Sequence, residues 1–294
     1  MDLFQYDFML RALVGALVIG LAAPALGIYL VQRRLALIGD GIGHVALTGV
    51  GAGLLLNRSP VLVAVLAATV GAIVIELVRA RGRTSGDLAL ALLFYGGIAG
   101  GVLLVGLSDA SSASLNAYLF GSLITTSRGD LVTILLLGLA VLVAMVALRP
   151  ALFAVCHDEE YARVSGLPVR ALNLLLAVTT AVTVTIAMRS VGVLLISALM
   201  VVPVATAQQV TRGFASTMAA AMTLGLFAAG AGVAVAAGAD TPPGASVVLL
   251  AIASFLVVAL VAAGWRAVRR RSRPAGTPVT EAFAEPPEHE VALP

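Results

Sequence analysis

Charge is what this sequence has least of. Only 11% of its 294 residues are charged, where a soluble domain carries about a quarter. Lysine is missing altogether, since all 18 basic residues are arginine. A chain without lysine has no GxxxxGK[ST] phosphate loop, which excludes the usual P-loop ATPase. Cysteine occurs once, at Cys156, so an intrachain disulfide and a multi-cysteine metal site are both excluded. No HExxH pair is present, and Ser165 sits in RVSG rather than the GxSG a serine protease would want, which argues against an intramembrane protease. The basic residues gather at the ends of apolar runs rather than on one face, the pattern of membrane topology and not of a nucleic-acid footprint. The first residues, MDLFQYDFMLR, carry Asp2 and Asp7 where a secretory signal would be positive. The first apolar run therefore reads as a retained span.

What fills the chain instead is apolar sequence: 60% of residues are hydrophobic and the mean hydropathy is +1.06. Runs of about 20 apolar residues, the length that spans a bilayer as a helix, recur throughout. The expected fold is all-α, a polytopic membrane helical bundle of 8–9 spans. Nine runs qualify: 9–31, 35–56, 60–79, 87–107, 130–148, 172–188, 191–211, 214–238 and 244–265. The arginines orient them. Placing the tail Trp265–Arg273 in the cytoplasm also places Arg33, Arg34, Arg79, Arg81, Arg83, Arg149, Arg163 and Arg170 there, and leaves only Arg58, Arg128 and Arg189 outside. The positive-inside rule then gives the N-terminus out and the C-terminus in. The stretch 114–127 is too short to cross and reads as a re-entrant or interfacial half-helix on the outer side. Residues 1–273 form the membrane domain, with a cytoplasmic loop at about 150–171. Residues 274–294, acidic and proline-rich, read as a disordered cytoplasmic tail.

Two places break the apolar pattern. In LIGDGIGHVALTG (37–49), Asp40 and His44 stand four residues apart, on one face of a helix with Thr48 one turn further. Gly39 with Gly43, and Gly49 with Gly53, form GxxxG pairs that admit a neighbouring helix closely. Ionisable residues in spans face a bundle interior or an aqueous path. A carboxylate oxygen and an imidazole nitrogen at this spacing are half a ligand set for Zn²⁺ or Mn²⁺. The alternative is a hydrogen-bonded pair that only locks helix packing. The second place is the loop PALFAVCHDEEYARVSGLPVRALN (150–173), where Asp158, Glu159 and Glu160 open a segment of about two helical turns, Gly166 stops it and Pro168 follows. It reads as a surface loop or as a docking helix for a cytoplasmic partner. The neighbours Cys156 and His157 point in different directions on a helix, which disfavours a metal site there.

Four stretches in this order, 27–53, 115–131, 158–169 and 191–207, resemble the permeases of zinc/manganese ABC importers, the ABC-3 family. In that family the second-span motif reads like GDAISHAVLPG, and its aspartate and histidine match Asp40 and His44. Gly43 replaces the usual serine and Thr48 the usual proline. The family's D-x-E-[FY]-A-x-x-x-G segment matches Asp158, Glu160, Tyr161, Ala162 and Gly166. The resemblance implies a type II ABC importer-like permease for Zn²⁺ or Mn²⁺, with Asp40 and His44 as metal ligands. It implies a coupling helix seated in a separate ATPase subunit that binds ATP. It further implies a homodimer with two ATPase copies and an extracytoplasmic metal-binding protein, in the cytoplasmic membrane, with no catalysis by this chain. Two other readings stand beside it. A secondary transporter would use Asp40 and His44 as a proton relay, but would show inverted repeats, and none is evident. A permease for metal–siderophore or cobalamin shares the architecture, yet the Asp–His pair fits a bare ion better than an organic chelate.

Overall fold

A computed structural model describes residues 7–80, 86–108, 112–122, 127–188, 191–193 and 195–271. The C-terminal tail 274–294 lies outside these residues. Among those described, the regular structure is entirely helical, with the order α1 (Asp7–Gln32), α2 (Ile38–Leu55), α3 (Pro60–Ala80), α4 (Gly86–Gly106), α5 (Ser112–Phe120), α6 (Arg128–Ala147), α7 (Arg149–His157), α8 (Glu159–Val164), α9 (Val169–Ala187), α10 (Ile196–Gln208), α11 (Phe214–Ala239) and α12 (Pro243–Arg271). Seven of them are long and apolar enough to cross a membrane, and residues 90–106 and α10 are shorter apolar helices. The nine apolar runs of the sequence thus coincide with α1–α4, α6 and α9–α12. The half-helix is α5, nine residues long and followed by the non-helical Gly121.

Composition decides which helices lie inside. Helices α1, α2 and α9 are mostly buried, while less than a third of α3, α6 and α12 is buried. In a bilayer, apolar side chains gain little by leaving lipid for protein, so helices associate where small residues allow backbone contact. Gly20 of α1 and Gly225 of α11 face each other in this way, and a Cβ on Gly20 would stand 2.7 Å from the Gly225 carbonyl oxygen. Gly27 meets the Met200 carbonyl of α10 still more closely. Polar side chains in the interior satisfy themselves locally. On α9, Thr180, Thr183 and Thr185 are fully buried, and each donates to the carbonyl four residues back at 2.6–2.8 Å; Thr179 does the same.

One difference from the sequence reading concerns the run 191–211. It is not one helix: α9 ends at Ala187, and Val191–Val193 are non-helical before α10 begins at Ile196. Gly192 adopts φ +91°, which a side chain would strain, and its Cα abuts the Leu119 carbonyl and Phe120 of α5. The Val193 amide donates to the Tyr118 carbonyl at 3.0 Å. The half-helix α5 therefore plugs the break between α9 and α10. In a membrane protein, irregular backbone is tolerated where protein covers it, and α5 covers Gly192 and Val193.

Candidate cation site and the exposed helix α8

Asp40 and His44 both lie on α2, one turn apart, so the helix alone brings them to one face. The surroundings of α2 divide by neighbour. Gly39 faces Met200 and Ser197 of α10, and Gly43 faces Val193 in the break. Gly41, His44 and Thr48 face α4, where Gly97 lies so close to the His44 backbone that a Cβ there would stand 2.6 Å away. Gly49 and Gly53 face Ala64 and Pro60 of α3. With about 100° per residue, Asp40 falls between the side covered by α10 and the side covered by α4, and it is half-buried. Both GxxxG pairs read from the sequence thus have packing partners, one against α10 and the break, the other against α3.

His44 is 8% exposed, and its ring meets Phe94 edge-on with centroids 4.4 Å apart. Its Nδ1 is buried without a hydrogen-bond partner among the described residues. A buried polar atom without a partner is unfavourable on its own and calls for one, a water or an ion being two that would serve. A hydrogen-bonded Asp40–His44 lock through this nitrogen does not form. Thr48 is engaged otherwise: its hydroxyl donates to the Gly97 carbonyl at 2.8 Å and tightens the α2–α4 contact. Among the described residues no group of three or more His, Cys, Asp or Glu side chains gathers as a metal site. Next to the start of α2 lies a cavity of about 410 Å³, lined by Leu35, Leu37, Ile38, Leu90 and the ion pair Glu76–Arg79 among others. Glu76 is buried and sits 2.9 Å from the Arg79 guanidinium.

The loop residues divide into two roles. Asp158 caps α8: its Oδ1 accepts from the Tyr161 amide at 2.9 Å. Ala162 is fully buried and seats the helix on the bundle. Gly166 closes α8 in the left-handed conformation, φ +82°, where its amide donates to the Arg163 carbonyl and the Leu167 amide to the Ala162 carbonyl. This is a Schellman stop, the termination expected for Gly at that position. A Cβ on Gly166 would meet nothing within 4 Å, so the glycine is required by the backbone angle and not by crowding within the chain. Tyr161 is 67% and Val164 89% exposed. Together with exposed Asp158 and Glu160 they give α8 an outward face that is part apolar and part acidic. Cys156, on α7, is partly buried, and burial pushes its thiol up to about 11; it stays protonated at neutral pH. The neighbouring His157 stacks on Phe153 at 5.6 Å.

Sequence reasoning placed Glu159 in the acidic run but missed what it does. Its Oε2 accepts from Arg33 Nη2 at 3.2 Å, and its Oε1 accepts from Arg163 at 3.3 Å. Arg33 also donates to Asn173 Oδ1 of α9 at 2.7 Å.

The model of the ABC 3 transport family matches residues 5–262. The chain belongs to the ABC 3 transport family. Among curated relatives of this family member, the manganese transport system membrane protein MntC of Halalkalibacterium halodurans is 30% identical over 86% of this chain and 87% of its own length. The high-affinity zinc uptake system membrane protein ZnuB of Haemophilus influenzae is 29% identical over 86% of this chain and 97% of its own. Among solved structures, a chain of PsaBC from Streptococcus pneumoniae, in complex with Fab, superposes with a TM-score of 0.78 at 29% identity, covering 87% of this chain and 92% of that one.

Proposed function

We propose that this ABC 3 transport family member is the membrane permease subunit of an importer that moves a bare divalent metal ion, Mn²⁺ or Zn²⁺, through Asp40 and His44. The observation that carries this reading is the buried His44 Nδ1 without a partner, one turn from a half-buried carboxylate, in the gap between α4 and α10. The names of the relatives, which specify manganese and zinc, support the same cargo. The transported ion is the substrate, and the two side chains are transient ligands. Two ligands are fewer than the about four that Zn²⁺ takes, or the six of an octahedral Mn²⁺ site. Asp40 is only half-buried by its own chain, so the same pair from a second copy across a two-fold axis, or water, completes the set. Few ligands suit passage, because a closed cage would retain its ion.

The remaining parts follow from chemistry this chain lacks. Without a phosphate loop, ATP hydrolysis comes from a separate ATPase, two copies for a homodimer, and this chain is not itself an enzyme. Helix α8 docks there: Tyr161 and Val164 supply apolar contact, Glu160 a charge, and Asp158, Ala162 and Gly166 the rigid shape that presents them. An extracytoplasmic metal-binding protein delivers the ion. The end bearing α7 and α8 faces the cytoplasm, with the N-terminus outside and the C-terminus inside.

Metal uptake in cells, normalised to folded permease in the membrane, tests the site. Asp40→Asn removes the anionic ligand and His44→Ala the imidazole, and each is expected to lower uptake at least about ten-fold, the loss of roughly 1.4 kcal/mol of interaction with the ion. Both variants transporting at the wild-type rate per molecule would reduce the pair to a packing device.

A further inference from the structure

Resting on that reading of α8, a route from the docking helix to the cation site can be traced through bonds. Arg33 is the first residue past α1, and its side chain is only 9% exposed. One guanidinium nitrogen holds Glu159, the first residue of α8, and another holds Asn173 on α9, itself 6% exposed. Glu159 is anchored a second time by Arg163 within α8. Burial lowers the Arg33 pKa from its ordinary value, and the Glu159 carboxylate opposes that shift.

From Arg33 two rigid paths lead to the Asp40–His44 pair. The first is the chain itself. Only five residues join α1 to α2, and they form a bonded turn: the Arg33 amide donates to the Tyr29 carbonyl, Leu35 to Leu30 at 2.8 Å, and Ile38 to Leu35 at 3.0 Å, with Arg34 in the left-handed region at φ +59°. The end of α1 therefore cannot tilt without moving the start of α2, where Asp40 is the third residue. The second path is α9. Asn173 lies near its start, and beyond its far end Val193 rests on Gly43, beside His44. A planar guanidinium with two fixed partners is a stiff joint, unlike a lysine, whose single ammonium pivots.

We infer that Arg33 is a coupling residue: it transmits displacement of the docking helix α8 to the start of α2 and to α9, the two segments that flank the cation-binding pair. Arg33 is a positioning residue and touches no cargo. The ATP-driven movement of α8 reaches the site because Arg33 joins three elements at once, and without it α8 would move while α2 stayed in place.

The test reconstitutes the complete complex, permease with ATPase, into liposomes and measures Mn²⁺ taken up per ATP hydrolysed, together with ATPase co-purification. Arg33→Gln is expected to retain the ATPase subunit, because the Tyr161–Val164 face is intact, and to lower the Mn²⁺-per-ATP ratio about ten-fold, within the 5–150-fold span of ordinary site-to-site coupling. Arg33→Lys, which keeps the charge but not the fork, should recover part of that ratio. Glu159→Gln, at a position 40% exposed, should lower the ratio about two- to five-fold, and it carries the test if Arg33→Gln fails to assemble. A purely structural role would lower the amount of folded complex and leave the ratio unchanged; an unchanged ratio in Glu159→Gln and in whatever Arg33→Gln complex assembles overturns the inference. Tyr161→Asp, in the same preparations, separates the two levels. It should abolish co-purification, and if the ATPase still binds, the docking reading fails with the coupling that rests on it. Retained ATPase with a normal ratio in the Arg33 variant, alongside lost ATPase in Tyr161→Asp, defeats the coupling alone.

Discussion

The two ends of the bundle are held together by different means. At the α8 end, long side chains do the joining: Arg33 with Glu159 and Asn173, and the Tyr29 hydroxyl with the Met145 carbonyl at 2.7 Å. At the α5 end, backbone lies on backbone. Gly192 touches Leu119 and Phe120, Gly244 of α12 touches the Val191 carbonyl, and Val193 bonds Tyr118. Ion pairs at the first end can break and re-form as elements shift, whereas the fit at the second leaves no slack for a single methyl group. The end proposed to meet the ATPase is thus the one joined through side-chain bonds, and the opposite end is joined by close backbone contact.

The contrast is sharpest at two glycines with the same left-handed backbone, Gly192 (φ +91°) and Gly166 (φ +82°). An alanine at either position bears about 1–2 kcal/mol of left-handed strain. At Gly192 its methyl also collides with α5, which adds about 1–3 kcal/mol of overpacking. Gly192→Ala should therefore be the most damaging of the substitutions proposed for the two ends. The expected result is a loss of roughly 2–5 kcal/mol, visible as a large fall in monodisperse protein after detergent extraction and mild heating. Gly166→Ala, with open space around it, should lose only the strain and should extract normally. Equal damage from the two would show that backbone angle alone governs both positions and would end the comparison. The smallest effect belongs to Arg128→Ala. Its 3.6 Å pair with Asp7 is more than 80% exposed at both partners, and such pairs contribute at most about 1 kcal/mol. The melting profile of the extracted protein should barely change.

Much of this was legible in the sequence because a bilayer imposes coarse rules. The nine apolar runs mark nine helices, since only a helix satisfies its own backbone in lipid. Asp40 and His44 stand out because ionisable residues are rare there, and Gly166 followed by Pro168 reads as a stop. The end of α9 agrees with the run 172–188, but the non-helical start of the run 191–211 was not legible. Val191, Val193 and Leu195 are as apolar as any helix, and only Gly192 hints at the irregularity that α5 stabilises. The bond from Arg33 to Glu159 was equally hidden. It joins residues 126 apart, and nothing in local period or charge order names a partner at that distance. Thr48 was read with the polar stripe, yet its hydroxyl is bound to α4, a contact that depends on Gly97 lying against α2.

The threonines of α9 have a mechanical consequence. Thr179, Thr180, Thr183 and Thr185 all spend their hydroxyls on carbonyls of their own helix. A polar group that carries its partner with it loses nothing when its helix slides, because no bond made by these four hydroxyls crosses to a neighbour. Apart from its anchor at Asn173, α9 can therefore shift along its axis as a rigid unit without any of these hydroxyls giving up its bond.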